Sequence, residues 1–429
     1  MKVLRSIALS NIKNKLKIAQ VAFRFWRQAL NYARINGLGA AFTLAIRVLT
    51  GKELLGAFPI GSLIAPGENL AQDTEILFVS ANPRSPSHDY RVANVAEAFK
   101  LLGLKVSVID QDAFQRLATL PTDLVLIWFW RTQISLEVID RLLASVDSKI
   151  HLHYDTDDLT FDSDSYSPEH VPALKALPGR VLTRLLDIDL PAQRLQIANA
   201  DSASATTFFL AAKMAELAPC AFVFPNTLTK QMAAIAKKSS PSIRPEGFRI
   251  VFASGTPTHR SDFLLIWPSL TNFLENHKDA SLDLLGCHPI SMDEVPFGLV
   301  RQIRFLPLVS HDVIVEVLAK YDLSLAPLET HTDFNKAKSA VKILHAAAAG
   351  TRSIASFTDE TAQTISALSC GECVHELNEW REALESEYKS VEDSHAERKG
   401  LILRTLDAYS IESLSVELKQ AFDDVLNKA

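Results

Sequence analysis

Residues 248–262 read FRIVFASGTPTHRSD, and this stretch decides the fold class. Its first six residues are almost all apolar, which predicts a buried strand, because a strand covered by helices on both faces is apolar at nearly every position. The loop that follows contains Gly255, and the polar residues at its end can cap a helix predicted over 263–276. A buried strand, a polar loop and a helix make one unit of a parallel α/β sheet.

The same unit recurs along the chain on both sides of this stretch. Two series of strands alternating with helices predict two parallel sheets, each covered by helices on both faces. The predicted strands are 76–79, 106–109, 124–129, 150–154 and 221–224 in the first half, and 248–253, 282–285, 302–305, 323–326 and 353–355 in the second. The predicted helices are 90–102, 136–143, 182–199, 206–217, 263–276, 313–319 and 340–349, with a mostly helical tail from residue 380.

The polar segment 237–247 (KKSSPSIRPEG) contains two prolines and a glycine and is the predicted linker between the two halves. In open α/β sheets, ligands bind outside the carboxyl ends of the strands, so we expect the ligand of this protein between the two halves. We divide the chain into a basic helical N-terminal extension (1–70), an N-terminal Rossmann-like domain (71–240), a C-terminal Rossmann-like domain (241–385) and C-terminal helices (386–429).

The composition is that of a soluble globular protein with a large core. The 429 residues carry a net charge of −6, and 48% are hydrophobic while 22% are charged, which excludes an intrinsically disordered chain. Four dispersed cysteines are too few for a disulfide framework. The sequence has no apolar run of about 18 residues and no signal-peptide pattern, so we expect a cytoplasmic protein without transmembrane helices.

Charge is distributed unevenly along the chain. Residues 1–52 contain ten of the 44 Lys and Arg residues and none of the 50 Asp and Glu residues, and apolar residues from Ile12 to Leu30 recur at helical spacing. This pattern predicts either an interfacial helix attracted to anionic lipid or a helix packed on the protein itself, with an organelle transit peptide as a lesser alternative. Our hypothesis is peripheral attachment to the inner face of the plasma membrane; the acidic remainder argues against nucleic acid.

Cations and glycine occur where strands of the second half end. Ser254 and Gly255 follow the strand 248–253, and Arg260 adds a positive charge at the start of the next helix. Lys338 and Ser339 lie at the start of the alanine-rich helix. Two helix N-termini, each with a cation, suit a diphosphate, although both cations also fit ordinary surface charges.

The segments SGTPTHRSDF, LAPLE and FNKAKSAVKILHAAAAG resemble the donor-binding half of GT-B glycosyltransferases of the family 4 (glycosyl transferases group 1) type. The segments DYRVANVAEAFKLLG and HYDTDDL are similar to the acceptor domain of the same family, and the resemblance spans about residues 75–385. It implies two Rossmann-like domains and a retaining transfer of sugar from a nucleotide-diphosphate donor to a glycan or lipid-linked acceptor. It also implies that no metal and no other cofactor takes part.

The resemblance implies a role for each candidate residue of the second half. Lys338 and Arg260 are the catalytic candidates, because fixed cations stabilise the leaving nucleoside diphosphate, and one such group is often worth roughly 3 kcal/mol. The candidate donor-binding residues are Ser254, Gly255, His259, Ser339 and His345.

The sequence departs from the family at three positions. His345 replaces the glutamate that grips the donor ribose, Ala337 replaces the paired glutamate eight residues earlier, and Arg352 replaces a proline. Histidine can still hydrogen-bond a ribose hydroxyl. These departures favour, as an alternative to a transferase, a catalytically degenerate GT-B-like binding or scaffold protein. A nucleotide-sugar epimerase on the same architecture is a third possibility, which would need neither an acceptor nor a membrane-binding extension.

Acidic residues follow a predicted strand of the first half. Asp157 is the candidate acid–base group, and Asp158 is a candidate acceptor-binding residue; helix capping is the alternative for both. Arg91 either contacts phosphate on the acceptor or pairs with an acid. The set His151, His153 and Asp155 is interpreted as a strand-end polar cluster rather than a metal site.

Cys370 and Cys373 form a single CxxC without a second pair, so we predict no zinc site there. Gly371 suggests a turn between these two cysteines.

Overall fold

The first half of the chain forms a six-stranded parallel sheet, here called sheet A, in the strand order β2-β1-β3-β4-β5-β6. The structure is a computed structural model that describes residues 70–146, 149–171, 174–175, 177–238, 247–390 and 395–426. The basic extension up to residue 69 and most of the predicted linker, 239–246, lie outside the described residues. The strands of sheet A are β1 (Ile76–Ser80), β2 (Val106–Asp110), β3 (Leu126–Trp130), β4 (His151–Thr156), β5 (Ser202–Ala205) and β6 (Ala221–Val223).

Helices connect and cover these strands. They are α1 (Pro86–His88), α2 (Asn94–Leu101), α3 (Gln111–Arg116), α4 (Leu136–Leu143), α5 (Gly179–Arg184), α6 (Leu190–Ala198), α7 (Phe208–Ala215) and α8 (Lys230–Lys238). The segments Asp89–Ala93 and Leu185–Asp189 are π-helical and lead into α2 and α6. The sequence did not predict β5, because its residues SASA are small and polar and have low strand propensity.

The second half forms sheet B, also six-stranded and parallel, in the order β12-β11-β10-β7-β8-β9. Its strands are β7 (Phe248–Ser254), β8 (Ala280–Gly286), β9 (Ile303–Leu306), β10 (Leu323–Ala326), β11 (Arg352–Ser356) and β12 (Gly371–Val374). Its helices, together with the C-terminal ones, are α9 (Arg260–Asn276), α10 (Ile314–Leu318), α11 (Asp333–Lys336), α12 (Val341–Ala348), α13 (Asp359–Leu368), α14 (Glu379–Ser390), α15 (His395–Ala408) and α16 (Ile411–Leu426). The predicted fold class, two parallel α/β sheets in tandem, is confirmed.

Two glycines of the second half are required by the backbone. Gly350 ends the alanine-rich helix α12 with a left-handed φ of +69°, as the sequence predicted. Gly371 has a φ of +149°, and a Cβ atom there would lie 1.8 Å from the carbonyl oxygen of Ser353 on β11. The prediction of a turn at Gly371 is wrong, since this residue begins strand β12, which the sequence did not predict.

Each sheet is buried on both faces, as near-continuous apolar strands require. One face of sheet A packs residues such as Leu77 and Phe129, and the other packs Phe78 and Trp128, whose rings stack with centroids 5.5 Å apart. The corresponding two clusters of sheet B lie on opposite sides of β7.

The C-terminal helices are divided between the two halves. Trp380 of α14 is buried against sheet B, whereas α16 returns to the first half. Phe422 of α16 is 1% exposed, and its ring lies 6.2 Å from that of Phe99 and 5.8 Å from that of Trp128. Helix α16 therefore covers the face of sheet A that contains Phe78 and Trp128. The helical pattern of the sequence does not predict this long-range packing.

We predict that Phe422→Ala lowers the free energy of unfolding by about 3–5 kcal/mol, because it leaves a cavity among buried aromatic rings. The measurement is equilibrium chemical denaturation. Val416→Ala on the same helix is the control, since Val416 is 59% exposed and its loss should cost less than about 0.5 kcal/mol. Equal small effects of both substitutions would show that α16 does not support sheet A.

Candidate functional site

The strand orders place one crevice in each sheet. The order reverses between β7 and β10 in sheet B and between β1 and β3 in sheet A, and in such sheets ligands bind outside the carboxyl ends of the strands at the reversal. The segment that follows β10 and the loop that follows β4, the neighbour of β3, contact each other across the two halves through the hydrogen bond between Lys338 and Asp158. The candidate site therefore lies between the halves.

Lys338 and Asp158 form the central contact of the site. Lys338 Nζ donates to Asp158 Oδ1 at 2.6 Å, and Arg131 Nη2 donates to Asp158 Oδ2 at 2.6 Å. Burial alone would raise the pKa of Asp158, but the two cations outweigh it and lower that pKa to about 2. Asp158 is therefore ionised at neutral pH and is held as an acceptor of two charge-assisted hydrogen bonds.

Arg131 is a site residue that the sequence did not predict. It follows β3 with a left-handed φ of 53°, which is uncommon for a residue other than glycine. Its Nε lies 2.6 Å from Asp157 Oδ1, and Trp130 Nε1 donates to the same oxygen at 3.2 Å. The only signal in the sequence is a charge directly after a buried strand. Asp157 is thus oriented by two neighbours of its own half.

Arg91 has an acidic partner. Its Nε donates to Asp155 Oδ2 at 2.9 Å, its Nη2 donates to Asp155 Oδ1 at 2.5 Å, and its Nη1 donates to the carbonyl oxygen of Phe224. The guanidinium is fully buried. Arg91 therefore makes the ion pair that the sequence allowed as the alternative to a phosphate contact.

Tyr90 links the first half to two histidines of the second. Its hydroxyl oxygen lies 2.6 Å from His345 Nε2 and is also hydrogen-bonded to His311 Nε2. Burial lowers the pKa of His345 to about 3, so its imidazole is neutral near pH 7. His345 thus contacts a tyrosine of the opposite half.

The segment 333–339 is seated against the first half. Ala337 and Phe334 are buried in the core on one face of sheet A. The carbonyl oxygen of Ala337 accepts from Thr207 Oγ1 at 3.3 Å, and Ser339 Oγ accepts from Asn226 Nδ2 at 3.2 Å. A glutamate at position 337 would have to fit its longer side chain into this packed contact.

Three basic side chains of the second half, those of His259, Lys338 and Lys342, influence one another electrostatically. His259 Nδ1 lies 2.9 Å from Asp262 Oδ2, and burial is the main cause that lowers the pKa of His259. Lys342 is half-buried, with Nζ 5.2 Å from the centre of the Phe252 ring. Burial lowers the pKa of Lys342 to about 8. Lys342 was not among the residues predicted from the sequence.

Arg260 is engaged by its own half. Its Nη2 donates to Glu294 Oε1 at 2.5 Å, and its Nη1 donates to the carbonyl oxygen of Pro289. The side chain is about half exposed. Arg260 is thus bound by groups of its own half, whereas Lys338 is bound by Asp158 of the other half.

The loop after β7 holds the remaining predicted donor-binding residues. Ser254 Oγ donates to the carbonyl oxygen of Thr256 at 2.6 Å, so this hydroxyl is engaged within the loop. Gly255 is exposed, and a Cβ atom placed on it would meet nothing within 4 Å. The space beside Gly255 is therefore open to a ligand.

The remaining departure from the family, Arg352, has a structural partner. Its Nε lies 2.6 Å from Glu387 Oε2, and its Nη2 donates to Glu387 Oε1 at 2.8 Å. This bidentate pair ties the start of β11 to α14 and leaves no contact between Arg352 and the candidate site among the described residues.

The strand-end histidines form a polar cluster. His153 lies 2.8 Å from the hydroxyls of both Ser202 and Ser204, and Ser204 Oγ donates to Asp155 Oδ1. Within the described ranges, the structure contains no group of three or more His, Cys, Asp or Glu side chains that could hold a metal ion. In the same residues, no helix combines the length and the apolar character needed to cross a membrane.

No protein-family model matches the chain, and no curated protein matches it in sequence. Solved structures match it in three dimensions. A sucrose-phosphate synthase from Thermosynechococcus elongatus aligns with a TM-score of 0.56 at 13% identity, covering 83% of this chain and all of that one. A glycosyltransferase from Rickettsia africae aligns with a TM-score of 0.54 at 12% identity, over 84% of this chain and all of that one.

HepE of Anabaena, solved in complex with UDP, aligns with a TM-score of 0.53 at 13% identity, over 82% of this chain and all of HepE. At such identities a structural likeness establishes the fold. The two parallel sheets, their helices and their tandem arrangement therefore give this chain the two-domain GT-B fold of its structural neighbours.

Proposed function

We propose that the protein is a glycosyltransferase that moves a sugar from a nucleotide-diphosphate donor to a glycan or lipid-linked acceptor. The observation that carries the proposal is one hydrogen bond between the halves: Lys338 of the second half donates to Asp158, which follows β4 of the first half. The placement of a cation in one half against acidic groups in the other suits a donor on one side and an acceptor on the other. HepE, which shares the fold, has been solved with UDP and with UDP-glucose, and this supports a nucleotide-sugar donor.

Lys338 is the proposed catalytic cation. As the glycosidic bond to the diphosphate breaks, negative charge grows on the leaving group, and a fixed ammonium stabilises that charge. Ser339 and His259 lie close by in the same half and are proposed donor contacts. Transfer with retention and without a metal or another cofactor is part of the proposal.

Arg260 is proposed to stabilise the leaving diphosphate less than Lys338 does. Its guanidinium is held by Glu294 in a surface ion pair, which has to be exchanged for a phosphate before Arg260 can stabilise the leaving group. Ser254 and Gly255 are proposed to line the donor through the open space beside Gly255.

The first half supplies the proposed acceptor side. Asp157 is oriented by Arg131 and Trp130 and is the proposed partner of the acceptor hydroxyl. Asp158 is bound by two cations in this structure, so the donor's diphosphate has to replace it at Lys338. Arg91 acts through Asp155, whose position at the end of β4 it fixes, and does not itself face the acceptor.

Specific observations favour a second candidate, a catalytically degenerate GT-B-like binding or scaffold protein. Ala337 and His345 have no carboxylate to offer a nucleotide, and both are engaged with the first half, Ala337 by packing and His345 through Tyr90. Calorimetry with UDP, GDP and ADP, followed by a hydrolysis screen of the corresponding nucleotide sugars, separates the two candidates. Binding with turnover supports the transferase, whereas a protein that binds no nucleoside diphosphate is the scaffold.

We predict that Lys338→Ala lowers sugar turnover by about 100-fold or more, the usual loss when one transition-state donor is removed. Lys336→Ala is the matched control, because Lys336 lies two residues away, is exposed and pairs only with Asp333 among the described residues. Arg260→Ala is expected to cost less than about tenfold, since its ion pair is on the surface. Full activity of Lys338→Ala would overturn the proposed site.

We predict that Asp158→Asn raises the affinity for UDP several-fold and lowers transfer to the acceptor. The amide no longer competes as an anion for Lys338, but it also no longer binds acceptor hydroxyls as a carboxylate does. Calorimetry measures the first effect and steady-state turnover the second, with the exposed Asp164→Asn as the control. Unchanged UDP affinity would show that Asp158 and the donor do not share Lys338.

We propose that the basic segment 1–52 binds an anionic membrane surface. Lys and Arg residues near an anionic surface contribute about 1 kcal/mol each. We predict that the full chain floats with anionic vesicles and not with neutral ones, and that a variant with Lys13, Lys15 and Lys17 changed to Glu stays in the soluble fraction. Flotation unaffected by these substitutions would contradict the proposal.

A further inference from the structure

His88 lies at the carboxyl end of sheet A and has no role in the reaction proposed above. It ends the short helix α1 that follows strand β1, and its Nδ1 atom lies 3.0 Å from Oγ of Ser80, the last residue of β1. Ser80 pairs in register with Trp130 of β3, and the strand order reverses between these two strands. The imidazole of His88 therefore lies where a parallel α/β sheet places its ligand.

The contact with Ser80 assigns the proton of the His88 ring. Ser80 is fully buried, and Nδ1 of His88 is the only hydrogen-bond partner that its hydroxyl has among the described residues. A buried O–H group without an acceptor is unfavourable, so the hydroxyl donates to Nδ1 and the ring proton is on Nε2. Burial lowers the pKa of His88 to about 4, so the ring is neutral near pH 7.

The Nε2–H group of His88 is available to a ligand. Nε2 has no hydrogen-bond partner in the part of the chain that the structure describes, and it is not one of the buried side-chain atoms without a partner there, so it is open to solvent. The ring meets that of Trp130 edge-on, with the ring centres 5.9 Å apart. Ser80 and Trp130 thus fix the orientation of one N–H donor at the crevice of the first half.

A carboxylate accompanies this donor at the same strand end. Trp130 Nε1 donates to Asp157 Oδ1 at 3.2 Å, so Trp130 contacts both His88 and the carboxylate proposed to bind the acceptor hydroxyl. An N–H donor and a carboxylate around one indole ring suit two neighbouring hydroxyl groups of a sugar. One hydroxyl oxygen accepts from the N–H group, while the other hydroxyl donates to the carboxylate.

The charges at these strand ends favour an uncharged ligand over a phosphate. Arg91 makes a bidentate pair with Asp155. Arg131 binds both Asp157 and Asp158. These two guanidinium groups are paired with three carboxylates, so neither is left for a phosphate, and the carboxylates would repel one.

We propose that His88 is an acceptor-binding residue whose Nε2–H group donates to one hydroxyl oxygen of a neutral sugar, while the neighbouring hydroxyl of that sugar donates to Asp157. This inference rests on the proposed function and narrows it, because it assigns the crevice of the first half to an uncharged sugar diol rather than to the phosphate of a lipid carrier. Ser80 is a positioning residue, since it acts through His88 by holding the ring proton on Nε2.

The first test follows the imidazole nitrogens of His88 by NMR at pH 7 on the full chain, with histidine labelled by nitrogen-15. The signals of His88 are assigned by their loss in His88→Gln. The wild type is expected to show a neutral ring protonated at Nε2, and Ser80→Ala is expected to show a mixture of the two neutral forms. A wild-type ring protonated at Nδ1 would overturn the role of His88.

The second test adds sugars to the same sample. Glucose, galactose, mannose and N-acetylglucosamine are the neutral probes, and the 6-phosphates of the same four sugars are the charged ones. At least one neutral sugar is expected to shift the Nε2–H signal of His88, and its 6-phosphate is expected to bind at least about tenfold more weakly.

Variants test whether the hydrogen bond itself matters. For the neutral sugar that binds best, ligand-observed NMR titration is expected to show about tenfold weaker binding to His88→Ala. His88→Gln retains an N–H donor and is expected to remain within about threefold of the wild type. Arg84→Ala is the control: it removes an exposed cation of the same loop, which a phosphate would use, and should leave the affinity for the neutral sugar unchanged. Melting temperatures establish that each variant is folded.

The outcomes separate this inference from the proposed function. A His88 signal that no neutral sugar shifts, tighter binding of the 6-phosphates, or equal affinities of the wild type and His88→Ala would each overturn the role of His88. Binding of UDP and hydrolysis of UDP-sugars test the transferase without any acceptor, so they stand or fall independently. Sugar binding that depends on His88, in a protein that binds no nucleoside diphosphate, would support the role of His88 and overturn the transferase.

Discussion

The ion pair between Lys338 and Asp158 is the constraint on which the arrangement of the site depends. A half-buried carboxylate is stabilised by charged partners, and Asp158 has one from its own half, Arg131, and one from the other half, Lys338. This three-residue chain brings the carboxyl ends of two separate sheets to the same place. Three further contacts lie in the same region. The segment 333–339 packs on the first half, Tyr90 contacts His345, and Arg131 orients Asp157.

The departures from the family motif acquire a physical meaning in this arrangement. Ala337 is small because it packs into the core of the opposite half, and His345 is neutral because it is buried against Tyr90. Arg352 is bound to Glu387 and supports the start of β11. Positions 337 and 345, which hold glutamates in the resemblance, therefore make contacts between the halves here, and Arg352 makes a contact within the second half.

The order of strands and helices can be predicted from the sequence because a strand that is buried on both faces is a short run of apolar residues. Apolar runs located most of the strands, and Gly350 located the end of α12. Strand β5 has small polar residues and β12 begins at a glycine, so neither has the apolar run that marks a buried strand. The return of α16 to sheet A could not be predicted either, since a helical pattern carries no information about which distant surface it covers.

By itself, the sequence determined that this chain folds into two parallel α/β sheets and that its ligand-binding loops follow the strands. Only the tertiary structure decided which charges share the crevice, because that depends on neighbours remote in sequence. Arg260 and Lys338 look equivalent as cations at helix starts, but Glu294 binds the first and Asp158 the second. Lys342 lies within the alanine-rich motif, but its position beside the ring of Phe252 exists only in the folded chain.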